Sequence, residues 1–292
     1  MKNFIGQNAV KEGIQILLDA ENIVPHILLM GQGGTGKTAL AKMVANAKAN
    51  TFHCANGATI KSIEDIKPYI YMIEEGDVVF IDEIHRMPIK CQEVLYTVME
   101  DFEIAVASSH GEMHDIPKFT LIGATTDAGK LTGSFKDRFK AHFMLELYSN
   151  DDIHKIIDLH NYKKFDVDTE YLSCFSRGVP RRAIAHLEWV LTYCKAKCLI
   201  KADKKVIDKA LALQGTYENG ITKQDLNYMG FLFRIKQAAS IQSIIGATCL
   251  DKQIIENSIE PYLIQNAFIT KTARGRCLNF KKYKDLIEKI QS

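Results

Sequence analysis

The residues best suited to chemistry lie in a glycine-rich segment near the N-terminus. GQGGTGKT has the spacing G-x-x-x-x-G-K-T. In such a loop the backbone N–H groups turn inward and, with the N-terminus of the following helix, bind phosphate. The lysine reaches the β- and γ-phosphates and the threonine hydroxyl ligates Mg²⁺. We therefore predict an ATP and Mg²⁺ site formed by Gly31, Gly33, Gly34, Thr35, Gly36, Lys37, Thr38 and Ala39.

Two adjacent carboxylates supply the second half of this site. The segment DVVFIDEIHR at 77–86 places four apolar residues before Asp82 and Glu83, as in a strand buried on both faces. At the end of such a strand, Asp82 is expected to hold Mg²⁺ through its water shell. Glu83 is expected to orient and deprotonate the attacking water.

Further polar residues follow the next two apolar runs. Thr125 and Thr126 come after the predicted buried strand 119–124, where one hydroxyl could sense the γ-phosphate or cap a helix. Arg138, in GSFKDRF, precedes a fourth predicted buried strand at 142–147. Its planar guanidinium suits a phosphate, although a surface ion pair is the simpler interpretation.

The elements that must position these residues alternate between helix and strand. An amphipathic stretch at 10–20 precedes the short apolar run 26–30, the glycine-rich loop and a good helix-forming sequence. This alternation predicts an α/β fold with a parallel sheet, in which ligands collect at the carboxyl ends of the strands.

Composition sets the class of protein. The chain has 292 residues, 47% hydrophobic and 25% charged, which suits two or three globular domains rather than a disordered or fibrous chain. No apolar run is long enough for a membrane span, and no secretory signal is recognisable, so we expect no membrane association and a cytoplasmic location. The net charge is only +2, which argues against indiscriminate coating of nucleic acid.

The C-terminal part is more basic than the whole. Residues 216–292 hold eleven Lys and Arg against seven Asp and Glu. The stretch 231–263 is typical of three short helices, and FITKTARGRCLNF follows as a hairpin with Gly275 at its turn, the outline of a winged helix. We expect Arg274 and Arg276 to form the wing tip and straddle a DNA phosphate. A solvated hairpin is the alternative.

Several segments together resemble one family. FIGQ, GQGGTGKT, VVFIDEIHR, EVLYTVMEDF, FTLIGATT, KDRF, RGVPR and EPYLIQNAFITKTARGR occur in one order, and the chain resembles the RuvB family of bacterial Holliday-junction branch-migration ATPases. The resemblance implies an AAA+ P-loop ATPase domain at 1–147, a helical lid at 148–215 and a winged-helix domain at 216–292. It also implies a homo-hexameric ring on double-stranded DNA that drives branch migration of four-way junctions in recombination and repair.

The same resemblance implies roles for single residues. Arg138 matches the arginine finger that completes the ATP site of the neighbouring subunit, and Arg181 matches the lid sensor of bound nucleotide. Thr125 and Thr126 match the first sensor region, and Ile5, in FIGQ, is placed at the nucleotide. Arg274 and Arg276 match residues that contact DNA.

Three features depart from the family pattern. The sequence begins almost at FIGQ, without the preceding segment that helps enclose the adenine, so we expect weaker nucleotide affinity or base selectivity. The stretch 103–118 is shorter and more polar than the family's hairpin that grips RuvA, which leaves open whether a RuvA-like partner is needed. Asp127 stands where the family has arginine.

Two other functions fit parts of the sequence. A clamp-loader-like ATPase would also share its site between subunits but would open a partner ring. A DNA-bound adaptor would use ATP only as an assembly switch. Turnover stimulated by DNA, and the oligomer formed on DNA, distinguish them from a translocase.

Overall fold

The computed structural model describes residues 4–105, 113–161 and 165–291. The chain divides into two compact units, 1–148 and 149–292. The predicted boundary at 147 lies next to this division, whereas the lid and winged-helix ranges fall within one unit. The division into three domains therefore stays a prediction.

The first unit is built on a five-stranded parallel sheet of order β2-β3-β6-β1-β7. The central strand β6 is buried along its whole length, as expected where helices cover both faces of a parallel sheet. The strands are β1 Ile27–Gly31, β2 Phe52–Asn56, β3 Val78–Asp82, β6 Thr120–Thr125 and β7 Ala141–Leu145, with a separate antiparallel pair β4 Glu103–Ala105 and β5 Met113–Asp115.

Helices of this unit pack against the sheet around two hydrophobic clusters. One cluster joins α1 and α2 to β1 and includes Ile14, Leu29 and Leu40. The other joins α3 and α4 to β3 and includes Ile66, Ile81 and Leu95. The helices are α1 Asn8–Ala20, α2 Lys37–Lys48, α3 Ile63–Tyr71, α4 Ile89–Glu100 and α5 Gly133–Lys136.

One predicted strand differs from expectation. We predicted a buried strand at 142–147, but β7 is a sheet edge that, among the described strands, pairs only with β1. Its side chains alternate between half-buried and exposed up to the buried Leu145 at its end. Phe143 packs beside Gly13 of α1, whereas Met144 is exposed. The prediction was wrong because a short apolar run does not reveal whether a second strand will flank it. The opposite edge, β2, was not predicted at all.

The lid range of the second unit is mainly helical. It contains α6 Asn150–His160, α7 Thr169–Ser173, α8 Pro180–Ala196 and α9 Lys204–Ala212, with the two-residue parallel strands β8 Asp166–Val167 and β9 Lys201–Ala202. Proline at the start of α8 suits the first turn of a helix, because the missing N–H has no helical partner there.

The winged-helix range follows in the same unit. Its elements are the pair β10 Thr216–Tyr217 and β11 Ile221–Thr222, the helices α10 Lys223–Ile235, α11 Ile241–Thr248, α12 Lys252–Ile254 and α13 Glu260–Gln265, the hairpin β12 Ile269–Thr272 and β13 Gly275–Leu278, and α14 Phe280–Gln291. A π-helical segment, Ile255–Ile259, joins α12 to α13. The three predicted helices and the hairpin are thus present, although the first helix begins at Lys223 rather than 231. Within the described ranges, no helix combines the length and apolar character needed to cross a bilayer.

Candidate functional site

The glycine-rich loop connects the end of β1 to α2, as predicted. At Gly31 the backbone φ is +140°, and a Cβ there would lie 2.5 Å from the Leu145 carbonyl oxygen. Gly36 has φ +104° and immediately precedes α2. Only glycine adopts these conformations without strain. The loop thus bends back so that the first turn of α2, which carries Lys37 and Thr38, opens toward the carboxyl edge of the sheet.

Lys37 is buried and holds the loop together. Its Nζ donates hydrogen bonds to the carbonyl oxygens of Gly31, at 2.8 Å, and Gln32, at 3.0 Å. The hydroxyl of Tyr148 donates to the carbonyl of Thr35 at 3.0 Å. These bonds order the loop from both sides, so little rearrangement is needed before phosphate replaces the carbonyl partners of Lys37.

The N-terminal FIGQ segment lies against this loop. The Phe4 ring reaches within 3.0 Å of the position that a Cβ on Gly36 would occupy. The Gln7 side chain exchanges hydrogen bonds with the backbone of Glu146, donating to the carbonyl at 2.8 Å and accepting from the N–H at 3.1 Å. Ile5 lies between Phe4 and Gln7 in the chain and is half-buried at the P-loop end of the sheet.

Strand order brings the two carboxylates toward the loop. β6 lies between β1 and β3, and all three run parallel, so the P-loop, the threonines at the end of β6 and the acids at the end of β3 emerge at one edge. Asp82 ends β3, and its Oδ1 accepts the Glu83 N–H at 3.0 Å. Glu83 has φ +48°, a left-handed conformation uncommon outside glycine, which turns its side chain away from the strand direction.

Glu83 is held by two residues from different elements. Thr126 donates its hydroxyl proton to Oε2 of Glu83 at 3.0 Å. Nδ1 of His85 lies 3.3 Å from the same oxygen and 2.9 Å from the hydroxyl of Thr125. The structure therefore brings the predicted site residues Glu83, Thr125 and Thr126 together. His85 was missed, although its position two residues after Glu83 in DEIHR was the available signal.

Asp127 forms a local contact rather than reaching the carboxylates. Its Oδ2 lies 3.0 Å from Nζ of Lys130, and its backbone N–H donates to Thr125 Oγ1 at 2.9 Å. The hydrogen bond from Lys130 lowers the pKa of Asp127. The charge of Asp127 is thus paired with that of Lys130, three residues later in the chain.

Arg138 is folded back onto α4. Its guanidinium carbon lies 4.2 Å from the centre of the Tyr96 ring, it donates to the Tyr96 hydroxyl, and its Nε lies 2.5 Å from Oε2 of Glu100. The hydrogen bond with Tyr96 raises the pKa of Arg138, so the group stays charged. Tyr96 and Glu100 lie in EVLYTVMEDF, and no sequence signal linked them to Arg138.

Arg181 belongs to the second unit, in the first turn of α8, and is exposed. The neighbouring Arg182 is partly buried, and burial, followed by the charge of Arg177, lowers its pKa. The nucleotide-sensing role of Arg181 stays a prediction from the resemblance.

The two predicted wing arginines differ. Arg274 is exposed in the turn of the β12–β13 hairpin. Arg276 instead turns inward: its Nε lies 2.8 Å from Oε1 of buried Glu260 and its Nη2 lies 3.3 Å from Oε2. The expectation that both side chains form the wing tip is corrected, because a buried carboxylate on α13 attracts one of them.

Glu260 anchors the hairpin through three donors. Lys271 lies 2.6 Å from Oε2, and the Tyr228 hydroxyl donates to Oε1 at 2.9 Å. Burial raises the pKa of Glu260, but the hydrogen bonds from Arg276, Lys271 and Tyr228 outweigh it, so the pKa is lowered. Ala239 adds a third strand position by pairing with Arg276 through backbone bonds of 3.1 and 2.9 Å. These contacts hold the base of the hairpin in place, and Arg274 lies at its tip.

Comparisons with known proteins agree along most of the chain. The family model of the Holliday junction DNA helicase RuvB P-loop domain matches residues 1–145, and the RuvB C-terminal winged-helix model matches residues 218–287. The Holliday junction branch migration complex subunit RuvB of Campylobacter fetus is 34% identical over 97% of this chain and 86% of that protein. The corresponding subunit of Ureaplasma parvum is 38% identical over 94% of this chain and 91% of that protein.

Solved structures show the same relationship. The Thermotoga maritima RuvB Holliday junction branch migration motor matches with a TM-score of 0.84 and 28% identity, covering 98% of this chain and 96% of that one. The Aeropyrum pernix ORC2 protein, at 12% identity and a TM-score of 0.57, shares the fold alone. With a curated relative 34% identical over 97% of this chain and both RuvB domain models matched in order, this chain belongs to the RuvB family.

Proposed function

We propose that this protein is an ATP-driven DNA translocase that promotes branch migration of four-way junctions during recombination and repair. The observation that carries the proposal is the convergence of the P-loop, the Asp82–Glu83 pair and Thr126 at one edge of the parallel sheet. Similarity over nearly the whole chain to branch migration subunits supports the choice of DNA substrate.

Each residue at the sheet edge has a role in hydrolysis. Lys37 binds the β- and γ-phosphates, and Glu83 orients and deprotonates the attacking water. Thr126, which already donates to Glu83, senses the γ-phosphate through the same hydroxyl.

The donor set fits Mg²⁺ bound together with ATP. Among the described residues, no three His, Cys, Asp or Glu side chains cluster as a metal site. Mg²⁺ commonly takes one or two protein oxygens and completes its octahedron with water and phosphate. The hydroxyl of Thr38 and the carboxylate of Asp82 suit that partial shell, and the ion's chemistry is to neutralise charge on the phosphates.

Arg138 acts on the ATP of a neighbouring subunit in a homo-hexameric ring. Its contacts with Tyr96 and Glu100 are partly exposed, with 30% of the Arg138 side chain and 42% of the Glu100 side chain accessible. An ion pair of this kind is weak, so a triphosphate can compete for the guanidinium. Arg181 acts as the lid's sensor of bound nucleotide.

Double-stranded DNA contacts the winged-helix range through Arg274. Its exposure at the hairpin tip and the basic excess of residues 216–292 support a phosphate contact, which suits movement along any sequence. Arg276 does not extend beside Arg274. It fixes the position of the hairpin through its ion pair with Glu260. The protein acts in the cytoplasm, and a RuvA-like junction-binding protein is its candidate partner, whose need the junction assay below decides. Part of the stretch 103–118 predicted to meet that partner, residues 106–112, lies outside the described residues.

Mixed rings test the shared site. Lys37→Ala and Arg138→Ala proteins are each expected to lack ATPase activity, whereas an equimolar mixture regains part of it because some interfaces pair an intact P-loop with an intact finger. The control mixes each variant with a Lys37→Ala/Arg138→Ala double variant, which cannot restore activity. No recovery in the first mixture would contradict a finger that acts between subunits.

A second experiment tests the reaction on DNA. ATPase and branch migration are measured on a synthetic four-way junction with and without added RuvA, using Arg274→Ala and, as control, the exposed Lys252→Ala on α12. Arg274→Ala should weaken binding to all sequences alike and reduce the salt slope by about 1. ATPase without any branch migration under either condition would contradict translocation.

A further inference from the structure

A buried ion pair joins the lid range to the winged-helix range within the second unit. Arg177 lies just before α8, and its Nη2 contacts Oδ2 of Asp225 on α10. Only 7% of the Arg177 side chain and none of the Asp225 side chain is exposed. The two residues lie on opposite sides of the predicted boundary at 215, so the contact fixes one range against the other.

The guanidinium of Arg177 is held on all sides. Its Nε donates to the carbonyl of Gly220 at 2.8 Å, and its central carbon lies 3.6 Å from the centre of the Tyr262 ring. The Tyr262 hydroxyl donates to the carbonyl of Asn219 at 2.5 Å. A planar cation that is stacked, hydrogen-bonded and paired cannot rotate without breaking several contacts together.

The backbones of the two ranges also pack closely at the same place. Gly220 has φ +74°, and a Cβ there would lie 2.5 Å from the Phe175 carbonyl oxygen. Oδ2 of Asp225 also accepts the backbone N–H and hydroxyl of Thr222, each at 2.6 Å, so the carboxylate that binds Arg177 also caps the first turn of α10. Movement of the lid range would therefore disturb the start of α10.

The contacts of Arg177 with Asp225, Gly220 and Tyr262 form a joint between the two ranges. The segment that contains Arg177 also carries the predicted nucleotide sensor. Arg181 lies four residues after Arg177, in the first turn of α8. Arg182 shares the environment of the joint, since the charges of Arg177, Asp225 and Tyr262 all affect its pKa. One short stretch of chain thus presents Arg181 to solvent and Arg177 to the winged-helix range.

We propose that Arg177, Asp225 and Tyr262 lock the lid and winged-helix ranges into one rigid body, so that a rotation sensed at Arg181 reaches the DNA-binding hairpin undiminished. These three are positioning residues. The mechanical consequence rests on the proposed translocase function, but the rigidity does not.

The rigidity is tested directly by a distance measurement between two native cysteines. Cys198, after α8, and Cys249, after α11, are both exposed. With Cys54, Cys174 and Cys277 changed to serine, spin labels on Cys198 and Cys249 report one distance across the joint. The full-length protein is diluted with unlabelled protein so that only distances within one chain are read. We expect a single narrow distribution that is the same with ATP and with ADP.

Two variants and one matched control examine the residues. Arg177→Met removes the cation but leaves Asp225 uncompensated, so Tyr262→Ala, which keeps the ion pair, is the second variant. The control is Tyr171→Ala, since Tyr171 also has a cation near its ring, Lys204 at 5.1 Å, and donates to Asp208 at 2.8 Å, but both partners lie in the lid range. Folding of each is verified by the fluorescence of Trp189. Both variants should broaden the distribution and the control should not.

The functional readout is branch migration per ATP hydrolysed. Tyr262→Ala should keep basal ATPase and lower this ratio about tenfold, and Tyr171→Ala should leave it unchanged. A broad or nucleotide-dependent distribution in the parent protein overturns the proposal, as does a narrow one in both folded variants. Absence of ATPase in the parent protein would contradict the proposed function, while the distance distribution would still decide the rigidity.

Discussion

Each of the two units contains an arginine that stacks on a tyrosine and pairs with a carboxylate, but the two ion pairs differ in their exposure to solvent. In the first, Arg138 stacks on Tyr96 at 4.2 Å and pairs with Glu100; in the second, Arg177 stacks on Tyr262 at 3.6 Å and pairs with Asp225. The Arg138–Glu100 pair is partly open to solvent, whereas the Arg177–Asp225 pair is almost fully enclosed and its Tyr262 is half-buried.

This difference in burial determines what each arginine can do. An exposed ion pair is stabilised little and exchanges readily with another anion. A buried pair is strongly disfavoured from opening, because either charge left alone would remain out of water. The same side chains thus form a releasable contact at Arg138 and a permanent joint at Arg177.

The largest expected effect concerns Arg138. Arg138→Ala should lower the ATPase rate by about 10³-fold or more if it acts as an arginine finger. The free energy of unfolding should change by no more than about 1 kcal/mol, since the pair with Glu100 is partly exposed. Steady-state ATPase, nucleotide binding and urea unfolding measure the three quantities. Loss of ATP binding together with stability would contradict a purely catalytic contact.

The opposite pattern is expected for Arg177. Arg177→Met should destabilise the second unit by about 3–5 kcal/mol, because it leaves the buried charge of Asp225 without a cation. The single tryptophan, Trp189, lies in this unit and bonds to the Ala210 carbonyl, so its fluorescence follows urea unfolding of this unit. Arg138→Ala is the control and should leave that transition in place. Equal small shifts of the urea midpoint in Arg177→Met and Arg138→Ala would contradict the expected difference between the buried and the partly exposed ion pair.

Acid offers a way to weaken the second unit through a different buried group. His186 on α8 is buried, and burial, followed by the charge of Arg182, lowers its pKa from 6.5 to about 4. The unfolded chain therefore binds the proton first as pH falls. The stability from neutral His186 is complete above about pH 6.5 and is lost toward pH 4, a change of about 3 kcal/mol.

The measurement is the urea midpoint of the Trp189 signal between pH 7 and pH 4. His186→Leu removes the titrating group and should flatten this part of the profile relative to the parent protein. Identical slopes in the two proteins would show that His186 does not supply the pH dependence.

The smallest effects come from removing single hydroxyls while keeping both rings. Tyr262→Phe deletes the hydrogen bond to Asn219 and should cost about 1 kcal/mol of stability in the second unit. Tyr96→Phe deletes the partly exposed contact with Arg138 and should cost less in the first. Urea titrations of both variants give the comparison, and a larger loss for Tyr96→Phe would reverse it.

Much of the nucleotide site could be predicted from sequence because its residues lie close together in the chain. The P-loop spacing needs glycines where φ is positive, and Asp82 and Glu83 follow a continuous apolar strand, so both patterns are readable locally. His85 was missed because its contacts, Thr125 and Glu83, become neighbours only when β6 lies beside β3. The exposed edge position of β7 was missed for the same reason.

The wing illustrates the limit for charged residues. Arg274 and Arg276 look alike in TARGR, yet the structure exposes one and pairs the other with Glu260, sixteen residues earlier in the chain. Exposure depends on which side of the hairpin faces α13, and hairpin composition does not reveal that.

The sequence by itself determined the α/β nucleotide-binding architecture, the loop that binds phosphate and the family, because short-range spacing and backbone preference are written in neighbouring residues. Only the tertiary structure decided that Arg138 is poised at the surface while Arg177 is locked inside. The energy of an ion pair depends on how much water surrounds it, and that is set by elements distant in the chain that fold over it.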